Sequence, residues 1–144
     1  MADLLLIVRL AGRRVALPAS EVEAVVELEG LTPVPGVAGH VAGLSALRSR
    51  VLTVINSRAS LGLAGADAAV NEAIVVPSGG HTYALMVEQV EDVVEVLTPP
   101  MPVKASPGEG WSRVASSMVE AGGDLLLLAD PHAIIAGPPL RAAA

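Results

Sequence analysis

Three histidines are the side chains best suited to acid–base or metal chemistry in this 144-residue chain: His40, His81 and His132. No two of them have the spacing of a metal-ligand pair, and the chain has no cysteine to complete a thiolate site or to act as a nucleophile. His132 follows Asp130 and Pro131, an order typical of a helix N-cap with proline at the first helical position. We therefore predict that Asp130 caps a helix, and we predict no metal and no cofactor.

Two serine segments could be mistaken for catalytic motifs. Residues 43–47 resemble the nucleophile elbow of serine hydrolases, but the second glycine of that motif is missing. The run from Ser78 to Gly80 indicates a turn, because no lysine follows it and no helix begins there, as a phosphate loop requires. We therefore predict that Ser45 is structural and that the protein is not an enzyme.

The charged residues leave several interpretations open. Carboxylates gather in two clusters, within residues 21–29 and 88–95, and paired carboxylates can do acid–base work. Because the clusters occupy matching places in the chain, solvated edges or a docking surface explain them better than catalysis does. Eight of the nine basic residues are arginines. Arg48, just before the apolar run Val51–Ile55, could extend its stem along the core, pair with a carboxylate or anchor an interface.

The composition argues against nucleic-acid and membrane partners. The net charge of −6 repels phosphate backbones, and one Tyr, one Trp and no Phe leave no platform on which bases could stack. The longest uncharged stretch, Gly30–Leu47, contains two prolines and four glycines, so it does not predict a membrane-spanning helix. The N-terminus has an acid at Asp3 and no basic segment, unlike a signal peptide. We expect a soluble, cytoplasmic protein with no nucleic-acid partner and no membrane insertion.

The apolar residues form short runs, which predicts a mainly β protein. Runs of four or five residues separated by turn signals are typical of buried strands. Two pairs of runs predict hairpins: Leu4–Leu10 with Val15–Leu17, and Ala73–Val76 with Tyr83–Val87. Eleven prolines argue against a helix bundle. Helical signals are weak and short, and they lie at Ala19–Val25, Ser57–Leu63 and Pro131–Ile135.

An internal repeat organises these elements. Glu21–Leu28 and Gln89–Val96 are identical at five of eight positions, at an offset of 68 residues. Similar runs upstream and downstream extend the match, so residues 1–63 and 72–137 form two versions of one β unit. We predict a single domain over residues 1–137, with a linker at 64–71 and a flexible tail at 138–144. Units this small gain stability by sharing a core, which predicts two small β-barrels around common aliphatic packing.

The sequence resembles a known family. Residues 35–63 resemble the signature of the chemotaxis coupling proteins with a CheW-like domain, and residues 83–90 and 125–135 resemble the corresponding parts of its second half. The chain departs from that signature at Ala46, Ser49, Thr53 and Asn56, where the family has Asn, Gly, Pro and Asp. The positions that match in the first segment are Gly43, Leu44, Leu47, Arg48, Val54, Ile55, Arg58 and Leu61.

The resemblance implies a fold, a function and partners. The fold would be two intertwined, SH3-like, five-stranded β-barrels sharing a central aliphatic core, with short helices. The function would be that of a non-catalytic adaptor in chemotaxis or a related chemosensory pathway, at membrane-associated receptor arrays. The partners would be a CheA-type histidine kinase, through its own CheW-like regulatory domain, and the cytoplasmic helical tip of methyl-accepting chemotaxis receptors.

A receptor tip needs a groove with apolar anchors, and the seam between two barrels would supply one. We expect the protein-binding residues there or beside it: Val41, Leu44, Leu47, Arg48, Arg58, Val87 and Val90. The alternative function is a small β-barrel enzyme or small-ligand-binding protein. A cleft that brought His40, His81 and an acidic residue within hydrogen-bonding reach would favour it.

Overall fold

The computed structural model describes residues 4–47, 49–63, 72–96, 99–103, 107–121 and 123–138. The predicted linker 64–71 and residues 139–144 of the predicted tail lie outside them. Three short helices are present: α1 Ser57–Ser60, α2 Glu109–Val114 and α3 Pro131–Ala136. The strands are β1 Leu4–Leu10, β2 Arg13–Pro18, β3 Ala24–Glu27, β4 Val41–Leu47, β5 Arg50–Ile55, β6 Glu72–Ser78, β7 His81–Met86, β8 Gln89–Glu95, β9 Met101–Pro102, β10 Ala115–Ala121 and β11 Asp124–Ala129.

The two sheets exchange strands between the halves of the chain. Sheet 1 has the order β8-β1-β2-β11-β10-β9, and sheet 2 has the order β3-β6-β7-β5-β4. Each sheet thus combines the first hairpin of one half with the last three main strands of the other. This confirms the mainly β, intertwined fold. Sheet 2 has the five predicted strands, whereas sheet 1 gains a sixth, the two-residue β9.

Both predicted hairpins form, and each is joined to the other half of the chain by a parallel pair. β1 and β2 are antiparallel, as are β6 and β7. β11 runs parallel to β2, and β5 runs parallel to β7, at equivalent places in the two sheets. Parallel neighbours require a long connection, so these pairs can form only between segments distant in the chain.

Three apolar layers explain the uninterrupted runs of the sequence. A central cluster lies between the two sheets, and a smaller cluster lies on the far face of each. In β1, Leu6 and Val8 belong to the central cluster, while Leu5 and Ile7 belong to the cluster on the far face of sheet 1. A strand buried on both faces shows no alternation of polar and apolar residues. Each fully buried Val, Leu or Ile side chain stabilises the folded state by roughly 1.5–3 kcal/mol.

The helices α1 and α3 occupy equivalent places after β5 and β11. Asn56 caps α1 by accepting from the Ala59 amide at 3.2 Å. Asp130 caps α3 by accepting from the His132 amide at 3.0 Å, with Pro131 following it, which confirms the predicted cap.

Two helix predictions need correction. The segment 19–25 was expected to be helical, but it holds only a 3-10 turn, Ala19–Glu21, before β3 begins. Pairing of β3 with β6 outweighs the weak helical signal there. Helix α2 was not predicted, and it buries Trp111, which is 6% exposed. Within the described residues, no helix is long and apolar enough to cross a membrane.

Candidate protein-interaction surface

Strand β4, which carries three of the predicted binding residues, lies at the edge of sheet 2. Its inner neighbour is β5. On its outer side, Thr32 and Leu44 exchange two backbone hydrogen bonds of 2.8 and 2.9 Å. This contact requires Gly43, which has φ +150° and would place a Cβ 2.3 Å from the Thr32 oxygen. The glycine therefore lets the preceding loop cover part of an edge that would otherwise be open.

The structure brings three of the predicted residues to one cluster. Val41, Val87 and Val90 all pack in or against the central cluster between the sheets. Val87 is 2% exposed, so its side chain fills the core, whereas Val41 and Val90 are half-buried. Glu72 fixes the segment that carries the last two: its carbonyl accepts from the Val87 amide at 3.0 Å and its carboxylate from the Val90 amide at 2.9 Å.

Three of the other four predicted residues lie elsewhere. Leu47 is half-buried and packs against the far-face cluster of sheet 2, not the central one. Leu44 is half-buried on β4, and Arg58 is half-buried on α1. Arg48 falls outside the described residues. The six predicted positions that the structure describes therefore do not share one face of the sheet.

Sequence reasoning missed four exposed apolar side chains that recur at equivalent positions of the repeat. Val25 on β3 and Val93 on β8 are 44% and 52% exposed, at the offset of 68 residues. Val51 on β5 and Leu125 on β11 are 65% and 52% exposed, at an offset of 74. The repeat aligns the two members of each pair, so the sequence shows that they occupy equivalent positions. It does not show that these positions are exposed, because that depends on which face of each strand is buried.

Each sheet also carries a cavity beside one of these exposed residues. The cavity on sheet 2 has a volume of about 640 Å³ and is lined by residues that include Val25, Leu47 and Arg50. Because β3 and β4 are the two edges of sheet 2, a cavity lined by both shows that the sheet curls toward a barrel. The cavity on sheet 1, of about 440 Å³, is lined by residues that include Leu125 and Met118.

The acidic clusters form ion pairs at equivalent places in the two sheets. In sheet 2, the Arg50 guanidinium donates to Glu23 at 2.9 Å and to the Thr82 hydroxyl at 2.9 Å. In sheet 1, Arg14 donates to Glu91 at 2.6 Å, in the repeat position of Glu23. The hydrogen bond from Arg50 lowers the pKa of Glu23, and the hydrogen bond to Glu91 raises the pKa of Arg14. The pair of Arg14 and Glu91 thus joins the two halves of the chain, whereas Glu23 and Arg50 both belong to the first half and reach the second through the Thr82 hydroxyl.

The histidines named for the enzyme alternative lie apart. His40 is 8% exposed, and its Nε2 donates to the Ile135 carbonyl at 2.8 Å, at the end of α3. His81 lies edge-on to Tyr83, with 6.4 Å between ring centroids. Neither ring bonds a carboxylate within the described part of the chain. Among all the residues that the structure describes, no group of three or more histidine, aspartate or glutamate side chains is placed to bind a metal ion.

These features define a class: a β domain of two strand-exchanged sheets with equivalent apolar surfaces on its two halves. A model of the CheW-like domain family matches residues 4–138. The chain belongs to the CheW-like domain family, which includes scaffolds and adaptors of chemotaxis signalling.

The fold is also similar to that of a solved relative, the scaffolding protein TtCheW from Thermoanaerobacter tengcongensis. The TM-score is 0.77 at 17% sequence identity, over 90% of this chain and 89% of that chain. At this identity the similarity shows a shared fold. A search of curated proteins finds no match.

Proposed function

We propose that this protein is a non-catalytic adaptor that bridges a CheA-type histidine kinase and the cytoplasmic tip of a chemoreceptor. The observation that carries the proposal is the repetition of exposed apolar residues on both halves of one domain. A protein that joins two partners needs two surfaces that can be occupied at the same time.

The chemistry of these surfaces suits protein partners. Val25 and Leu125 are large apolar side chains left about half exposed, each beside a cavity with a buried apolar floor. Apolar anchors of this kind, ringed by charged residues such as Arg14 and Arg50, are typical of the energetic centres of interfaces. With no Phe and a single Tyr, the chain relies on aliphatic contacts, which favours moderate affinity strengthened by multivalency.

The seam between the sheets is the proposed place for the receptor tip. Val41 and Val90 remain half-buried at the margin of the central cluster, and a helical tip could complete their burial. Leu44, Leu47, Arg48 and Arg58 remain predicted contributors. Val87 would act by holding the seam in shape, since its side chain is already enclosed.

The test uses paired variants in the full chain. Val25→Asp and Leu125→Asp each place a charge on one surface, and Leu4→Asp changes a residue that is 49% exposed and lines neither cavity. Binding to the purified kinase regulatory domain and to a receptor tip fragment is measured by titration calorimetry. We expect each of the first two variants to weaken binding to one partner by at least about tenfold, the effect of 1.4 kcal/mol.

The control variant is expected to bind both partners normally. If the folded Val25→Asp and Leu125→Asp proteins bind both partners as the parent does, the two surfaces are not the binding sites. If the parent chain binds neither partner, the adaptor function itself is wrong.

A further inference from the structure

A histidine outside the proposed binding surfaces joins a serine to a carboxylate. The ring of His132, in the first turn of α3, has its Nδ1 3.0 Å from the Ser78 hydroxyl oxygen. Its Nε2 lies 2.6 Å from a carboxylate oxygen of Glu21. The three residues come from the end of α3 nearest its cap, the β6–β7 hairpin and the 3-10 turn before β3.

The partners determine how the hydrogens are arranged. A carboxylate accepts only, so the Nε2 hydrogen of His132 is donated to Glu21. In the neutral ring Nδ1 then carries a lone pair, which accepts the hydroxyl hydrogen of Ser78. The result is a continuous serine–histidine–carboxylate chain, the arrangement that activates a serine as a nucleophile.

The backbone around Ser78 also suits this role. Ser78 is followed by Gly79 and Gly80, with φ of +57° and +83°, which close the hairpin in two residues. The amide of the residue after a nucleophilic serine commonly donates to the developing oxyanion. The Gly79 amide makes no hydrogen bond to the described part of the chain, so it is available to donate.

Access to the cluster sets the class of substrate. The side chains of His132 and Glu21 are 39% and 44% exposed, so solvent and small molecules reach them. Neither cavity described above includes any of the three residues. Without an enclosing pocket the site would not bind or select large substrates. Only an ester with a good leaving group would therefore react there.

We propose that Ser78 is a nucleophile that accepts the acyl group of small activated esters, with His132 as its general base and Glu21 as the residue that positions the ring. The Ser78 oxygen forms a bond to the acyl carbon while the bond from that carbon to the leaving oxygen breaks. The hydroxyl proton passes to Nδ1 of His132 and from there to the departing phenolate. The step ends at the acylated serine and is not a catalytic cycle, so it is compatible with a non-catalytic adaptor and independent of the adaptor function.

The test treats the full chain with p-nitrophenyl acetate and locates acetylated peptides by mass spectrometry over time. We expect Ser78 to be acetylated at least about tenfold faster than Ser20, an exposed serine in the same 3-10 turn as Glu21. A positioned general base contributes roughly 10²–10⁴-fold, so a tenfold difference allows for part of that effect being lost in an open site. The rate should rise linearly with ester concentration, because no pocket saturates.

Conservative variants separate the roles. His132→Gln keeps a side chain that can form hydrogen bonds but removes the base. Glu21→Gln keeps a hydrogen-bond acceptor but removes the charge. Both should slow Ser78 acetylation by at least about fivefold relative to the parent chain. His81→Gln, across the same hairpin, should leave the rate unchanged, and circular dichroism checks that each variant is folded. Acetylation of Ser78 no faster than that of Ser20 would overturn the proposal. So would a normal rate in either folded variant at His132 or Glu21.

Discussion

Replacing Arg113 with methionine is expected to loosen the packing of α1 against α3. The Nη2 group of Arg113 donates to the Ser60 carbonyl at 2.7 Å and to its hydroxyl at 2.9 Å, and Nη1 donates to the Ala133 carbonyl. Ser60 is fully buried, and its hydroxyl in turn donates to the Ile134 carbonyl at 2.6 Å. One guanidinium therefore connects the two equivalent helices that follow the exchanged strands.

The magnitude follows from these contacts. A hydrogen bond to a charged group is worth roughly 1.5–3 kcal/mol, and its loss leaves the Ser60 and Ala133 acceptors without that donor. Burial lowers the pKa of Arg113, which shows that desolvation of the charge offsets part of the gain. Methionine retains most of the apolar stem. We therefore expect Arg113→Met to lower the free energy of unfolding by about 2–4 kcal/mol, and Tm by roughly 6–15 °C in a chain of this size.

Urea unfolding of the parent, Arg113→Met, Ser60→Ala and the double variant forms a double-mutant cycle. Because both residues belong to one network, the two losses should not add, and the coupling energy should be about 1–2 kcal/mol. A loss below about 0.5 kcal/mol for Arg113→Met, or strictly additive losses, would refute the reasoning that Arg113 links the helices through Ser60.

Two further substitutions test packing and charge. Gly110→Ala would place a Cβ 1.8 Å from the Leu61 carbonyl oxygen. We therefore expect thermal unfolding to show a loss of at least about 2 kcal/mol in the free energy of unfolding. The control Gly30→Ala, where the Cβ would meet open space, should change this free energy by no more than about 0.5 kcal/mol. The pKa of Glu23 is lowered from 4.5 by Arg50, so this pair contributes stability above pH 4.5 that is lost as the pH falls through the lowered pKa. Glu23→Gln should therefore lose less stability than the parent between pH 6 and pH 3 in urea titrations, and an unchanged acid dependence would contradict this.

The local features of the fold could be predicted because they depend on neighbouring residues. The Asp130 cap needs only the order of Asp130, Pro131 and the apolar residues that follow. The hairpin of β6 and β7 needs only two apolar runs and the glycines between them, whose backbone adopts the positive φ of a two-residue turn. The repeat and the resemblance to one family were likewise contained in the order of residues, and the family model over residues 4–138 confirms that resemblance.

The candidate surface could be predicted only in part, because exposure depends on what covers each face. Val87 and Val90 lie three residues apart in the sequence, yet Val87 is enclosed by the central cluster and Val90 is half-buried. Leu125 belongs to an apolar run that looks like core, and Val25 lies in an acidic segment that was expected to be helical. Their exposure follows from their positions at a strand end and on an edge strand. A pattern of period two separates the faces of a strand, but it does not say which face meets solvent.

By itself, the sequence determined a mainly β chain of two related halves, with its hairpins and its helix cap, because these depend on side-chain alternation and turn chemistry over a few residues. Only the tertiary structure decided which strands pair across the halves. Three kinds of contact join residues far apart in the chain: the parallel strand pairs β2–β11 and β5–β7, the hydrogen bonds of Arg113 to Ser60, and the contact of His132 with Ser78 and Glu21. The strand pairing follows from burying both faces of each sheet, which is a property of the whole packed molecule, and the side-chain contacts follow from that packing.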